Sequence, residues 1–143
     1  MNPANQVLEE LRQPVRDLRE RIPGVFDGYG AISKAVLADG ALDAKTKELI
    51  ALAIAVAKQC DGCIASHARG AARRGATADE VAEALGVAIM MNGGPGSVHA
   101  PRAFAAFEQF ATSGSPAVLE LTGSASGHRA VICLVLPSPA ELR

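Results

Sequence analysis

The stretch from Leu49 through Ala57 is apolar at every position, and it narrows the choice of fold more than any other segment. Wound at about 100° per residue it presents no polar face, so it describes a helix buried on nearly every side. It falls well short of the roughly 20 residues that span a bilayer, as does the other apolar run, Ala130 through Leu136. Asp43 stands where an N-cap is wanted before Ala44. The helix then leads through Lys58-Gln59 directly into Cys60-Asp61-Gly62-Cys63-Ile64-Ala65-Ser66-His67.

The flanking segments carry ordinary helical periodicity. Val7, Leu8, Leu11, Val15, Leu18 and Ile22 recur at helical spacing, and Pro14 predicts a kink or restart at Gln13-Pro14 before Pro23-Gly24 ends the second piece. Val25, Phe26, Tyr29, Ile32 and Val36 keep the same period up to a stop at Asp39-Gly40. Beyond His67 the helix continues to Arg74, with Arg69, Arg73 and Arg74 in its later turns and Gly75 as terminator. Thr77-Ala78-Asp79-Glu80 reads as a capping box opening a helix with Val81, Leu85, Ala88 and Ile89 on one face. Asn92-Gly93-Gly94-Pro95-Gly96 closes it. Ser97 is expected to cap a last helix striped by Phe104, Phe107 and Phe110.

The fold class is therefore all-α, a compact multi-helix domain over residues 1–112. Residues 113–143, rich in Ser, Gly and Pro, form a C-terminal tail of a different kind. Within it Ala130 through Leu136 suits a buried strand as well as a short helix. No period of 20 to 50 residues repeats, which excludes solenoids.

Composition removes several functions. Fourteen basic against fifteen acidic residues leave a net charge of -1, so no global field recruits nucleic acid or an anionic membrane. Aromatic residues make up 3% of the chain and Trp is absent, so stacking platforms for single-stranded nucleic acid are lacking. The start, Met1-Asn2-Pro3-Ala4-Asn5, has no basic segment followed by an apolar one, and a cytoplasmic location is expected. Three cysteines without a secretion signal point to reduced thiols whose pairing, if any, belongs to the chemistry.

Two of those thiols carry the functional signal. In a helix, Cys63 and His67 lie one turn apart on one side, and Cys60 sits within about 60° of Cys63. A nearby imidazole, a helix N-terminus and a second thiol each favour the reactive thiolate. Two thiols and an imidazole are also three of the four ligands of a structural zinc, but His99, His128 and Cys133 are all distant in sequence, so no metal is expected. Cys133, inside an apolar run, reads as inert. The glycine-rich turn at 92–96 follows no strand and lacks the lysine of a phosphate loop, so it reads as a helix break. The three arginines read as a solvated helix face rather than an anion site.

Glu48, the Cys60-Xaa-Xaa-Cys63 pair and His67 together resemble the AhpD-like branch of the carboxymuconolactone decarboxylase superfamily. Its pattern is a glutamate twelve residues before the first cysteine, a CxxC pair and a histidine four after the second, and positions 48, 60, 63 and 67 match it. Gly75-Ala76-Thr77 and Asn92-Gly93-Gly94-Pro95 also look like the family. The resemblance implies a helical hairpin carrying the CxxC in a subunit that forms homotrimers or homohexamers. It further implies a thiol-dependent antioxidant peroxidase or disulfide oxidoreductase, without bound cofactor, that is recharged by an external thiol such as a lipoyl protein or a peroxiredoxin. Carried over by position, Cys63 attacks the hydroperoxide, Cys60 resolves the sulfenic acid, and Glu48 and His67 relay protons.

One departure and one geometric problem accompany this reading. Peroxidatic members can carry a second histidine just before the second cysteine, where this chain has Gly62, which bears on peroxide turnover and not on disulfide exchange. Twelve residues of straight helix span about 18 Å, so Glu48 cannot reach Cys60 along one helix. Either the chain folds back after Lys58-Gln59 or the carboxylate meets a cysteine pair across a subunit contact. The alternative functions are a carboxymuconolactone-type decarboxylase, which does not depend on paired thiols, and a non-enzymatic redox-sensing oligomer.

Overall fold

The structure, a computed structural model, describes residues 3–113. The tail segment Ala130 through Leu136, with Cys133 and His128, lies outside the described residues. Those residues form six helices and, among themselves, no strand: α1 Pro3–Arg21, α2 Pro23–Val36, α3 Ala44–Ala57, α4 Asp61–Arg73, α5 Ala78–Asn92 and α6 Gly94–Ser113. The all-α expectation holds.

Helices α3, α5 and α6 pack on one another, α4 packs on α3 and α6, and α1 lies against α4 and α6. The core is made of Leu52 and Val56 from α3, Ile64, Ala68 and Ala71 from α4, Val81 and Leu85 from α5, Ala103 and Phe107 from α6, and Ala4 and Leu8 from α1. Alanine at so many contact positions lets helix axes approach closely, which suits a core with few aromatic rings. Each boundary has a local cause. Asp43 accepts the Thr46 N–H at 2.7 Å. Thr77 and Glu80 exchange both capping-box bonds, at 3.1 and 2.8 Å. Gly75 and Gly93 take the positive φ values, 75° and 60°, that let the chain leave α4 and α5.

Three expectations are corrected. Pro14 does not divide the first segment: α1 is continuous from Pro3 to Arg21. Ala4, Leu8 and Val15 stay on one face and are buried, so packing outweighs the single backbone hydrogen bond that proline forfeits. The α3 helix is not buried all round, because Leu52, Ala55 and Val56 face the core while Ile50 and Ile54 are about half exposed. Ser97 lies inside α6, which begins at Gly94, and its hydroxyl donates to the Gly94 carbonyl at 2.7 Å.

Helix α2 stands apart. It packs only on α1 among the described helices, and Ser33 is its one buried residue. Its apolar stripe, Val25, Tyr29, Ile32 and Val36, faces outward.

Candidate active site

The site is built by the turn between α3 and α4. Gln59 adopts a left-handed φ of 53°, and the Cys60 N–H donates back to the Ala55 carbonyl at 3.2 Å. The chain thereby reverses, and α4 runs antiparallel along α3. Of the two routes open to Glu48, folding back is the one the chain takes: Glu48 in the second turn of α3 meets His67 in the middle of α4.

Cys60 is the N-cap of α4, and its sulfur accepts the Cys63 N–H at 3.3 Å. The two sulfurs stand 2.6 Å apart, close enough for a bond without backbone movement. Both cysteines are half-buried, and their sulfurs are not bonded to each other in this structure. His67, one turn after Cys63, shares its side of the helix and is 5% exposed. Its Nδ1 meets Glu48 Oε2 at 2.7 Å, with the Glu48 side chain fully buried. Two groups that prefer water are thus held in the interior against each other. A buried pair of this kind is strongly destabilised when one partner is removed.

The structure thus brings all four sequence-derived positions, Glu48, Cys60, Cys63 and His67, onto one hairpin. His99 is half-buried on α6, and its Nδ1 has no hydrogen-bond partner among the described residues. Among those residues no group of three or more His, Cys, Asp or Glu side chains gathers as a metal ligand set. A cavity of about 520 Å³ opens elsewhere, lined by Asn5, Arg69, Ala72, Arg73, Phe110, Ala111 and Ser113. None of the four site residues lines it, so two of the arginines read as a solvated face border a concave surface instead.

Three residues at the site were not singled out from the sequence. Leu11 of α1 closes the space over Gly62, where an added Cβ would meet Leu11 Cδ1 at 3.0 Å. Ser66 is buried and its Oγ has no partner among the described residues. Gly70, one turn beyond His67, lies so close to Glu48 that an added Cβ would stand 2.6 Å from Cδ and from both carboxylate oxygens. An isolated glycine inside an amphipathic helix was the available signal for the last.

An all-helical domain with a CxxC at a helix N-terminus and a buried carboxylate–imidazole pair behind it defines a class of small vicinal-thiol proteins. Residues 23–109 match the Carboxymuconolactone decarboxylase family, and the chain belongs to that family. It is 47% identical over 85 residues to an uncharacterised protein of the cox locus of Paracoccus denitrificans, covering 59% of this chain and 77% of that protein. It is 40% identical over 101 residues to an uncharacterised protein of Cupriavidus necator, covering 71% and 89% of the two chains. Among solved structures it is similar to the apo crystal structure of a carboxymuconolactone decarboxylase family protein from Legionella pneumophila. That likeness has a TM-score of 0.75 and 40% identity, and it covers 78% of this chain and 99% of the other. Helix α1 precedes the stretch that matches the family. Among the described residues no helix is long and apolar enough to cross a membrane.

Proposed function

We propose that the chain is an AhpD-like thiol peroxidase and disulfide oxidoreductase, acting as a homo-oligomer in the cytoplasm. The observation that carries this reading is the juxtaposition of two sulfurs 2.6 Å apart with a Glu48–His67 pair whose histidine lies one turn from Cys63. A carboxylate only accepts hydrogen bonds, so the Glu48 contact at Nδ1 suits a His67 proton on that nitrogen, with Nε2 then acting as the base. These are the parts an activated nucleophile needs: a thiol, a base one helical turn away and an orienting group behind the base.

In the first step His67 takes the Cys63 proton, and the thiolate attacks the distal oxygen of a hydroperoxide. The O–O bond breaks, the sulfur becomes a sulfenic acid, and the departing alkoxide collects the proton from His67 to leave as alcohol or water. The Cys60 sulfur then attacks the Cys63 sulfenic sulfur, a disulfide forms and water leaves. An external dithiol returns two electrons by thiol–disulfide exchange, and the displaced sulfurs leave as thiolates. The positive end of the α4 dipole lies beside Cys60 and suits that departure.

The test is a stoichiometric dose of hydroperoxide followed by mass spectrometry. Loss of two hydrogens between residues 60 and 63 is expected, and Cys63→Ser should abolish thiol-dependent peroxide consumption. Undiminished turnover in that variant refutes the reading. Decarboxylation of a carboxymuconolactone that survives alkylation of both cysteines would put the lactone chemistry in its place.

A further inference from the structure

The geometry points to Gly70 as the positioning residue of the site: its missing side chain is the seat that holds the Glu48 carboxylate against His67. This deepens the proposed function and rests on it only for the catalytic consequence. Gly70 sits inside α4, and the three heavy atoms nearest a Cβ built there all belong to one group, Glu48 Cδ, Oε1 and Oε2. At 2.6 Å each is well inside van der Waals contact, so any side chain would displace the carboxylate. Gly70 has no positive φ, so backbone conformation does not require glycine here, and in a helix interior glycine is less favourable than alanine. The requirement is for space, and the space is occupied by a carboxylate.

The arrangement also accounts for the orphaned oxygen. Oε2 takes the His67 Nδ1, whereas Oε1 is buried with no hydrogen-bond partner among the described residues. It lies against the Gly70 backbone, where α-hydrogens offer weak contacts of their own. His67 and Gly70 are three residues apart on α4, so Glu48 reaches across from α3 into a slot with an imidazole on one side and bare backbone on the other. A methyl group at position 70 would push the carboxylate away from Nδ1 and free the ring to exchange tautomers.

The experiment reads the histidine, not turnover. Imidazole nitrogen NMR of the full chain should show the Nδ1–H form of His67 in the native protein, and loss of that signature in a folded Gly70→Ala variant. The same variant should slow peroxide-driven oxidation of Cys63 by about a hundredfold, the usual share of a positioned general base. An unchanged tautomer in folded Gly70→Ala overturns the inference. Should that variant fail to fold, Glu48→Ala/Gly70→Ala against Glu48→Ala alone decides, because removal of the carboxylate vacates the slot for the methyl. A double variant that melts no lower than Glu48→Ala supports the seat, and one that melts lower or does not fold overturns it. Failure of the peroxidase reading would show separately, as Cys63 inert to hydroperoxide in the native chain.

Discussion

At the scale of single residues the site depends on a contact between Glu48 and His67, which are 19 positions apart in the chain. Glu48→Gln keeps the shape of the side chain but replaces an acceptor-only carboxylate with an amide. The expected result is slower peroxide-driven disulfide formation, by about a hundredfold, with near-native closure of the disulfide by a general thiol oxidant that needs no proton relay. Equal slowing in both assays would mean that the hairpin had been disturbed and not the relay. Glu48→Ala, which leaves the buried imidazole without its partner, should cost about 3–5 kcal/mol of stability in chemical denaturation. The spacing together with the family resemblance pointed to these residues and left Glu48 two routes, folding back or a subunit contact, and the choice between them was not legible. It depends on a left-handed Gln59, and nothing in Lys58-Gln59 announces that conformation.

Gly62 poses a second question at this scale. The space a side chain would need there is filled by the Leu11 methyl at 3.0 Å, the far end of a flexible side chain. Gly62→His should therefore be destabilising by itself and accommodated once Leu11→Ala clears the space. If a histidine at this place assists proton delivery, as the AhpD-like resemblance implies, the double variant should exceed the native chain in peroxide turnover. Comparison of hydroperoxide consumption by the native, single and double variants measures this. A double variant that folds and turns over no faster would remove any role for the position.

At the scale of elements, the capping signals were the most readable part of the chain, because each depends on residues three apart with well-defined backbone partners. The restart expected at Pro14 does not occur, for the complementary reason. Its local cost is visible in the sequence, whereas the buried stripe that outweighs it depends on α4 being present on that side. The joint between α3 and α5 is another tertiary feature: Lys45 Nζ meets Glu80 Oε1 at 2.6 Å. The hydrogen bond from Lys45, followed by that from the Thr77 N–H, holds the Glu80 carboxyl below its ordinary value of 4.5. The bond to Glu80 raises Lys45 above its ordinary 10.5. A depressed acid contributes stability above its unfolded pKa and loses it as pH falls through the folded one. A raised base contributes below its unfolded pKa and loses it as pH climbs through the folded one. The stabilisation by this pair is thus expected to be level between those two values and to vanish at both extremes. Melting temperatures of the native chain and Lys45→Met should differ at pH 7 and converge as pH falls below 4.5, with added salt narrowing the gap because the pair is partly exposed. A gap that persists after the Glu80 carboxyl has been protonated in the folded chain, followed by carboxyl NMR, would show that the lysine acts through its methylene packing.

At the scale of the whole molecule, a run that is apolar all round could not by itself reveal which neighbours bury it. Leu52 and Val56 are buried by this chain, yet Ile50 and Ile54, one turn apart on α3, face outward. Val87, Met90 and Met91 share an exposed face of α5, and the stripe of α2 is exposed along its length. Periodicity reports that a face is shielded from water and is silent on whether the shield belongs to the same chain. Exposed apolar side chains clustered in this way suit an interaction surface, and the proposed homo-oligomer would cover them with further copies of the chain. The native chain is then expected to sediment as a trimer or hexamer at micromolar concentration. Ile54→Glu and Ile32→Glu place charges on two such faces without touching the core or the thiols, so each should shift the chain toward monomer while helical content by circular dichroism stays near native. Glu48, His67 and both cysteines lie on one hairpin of one chain, so the dissociated variants should still close the Cys60–Cys63 disulfide with hydroperoxide. Loss of that reaction on dissociation would mean that a neighbouring subunit completes the site, and a native chain that sediments as a monomer would leave these faces for a different partner.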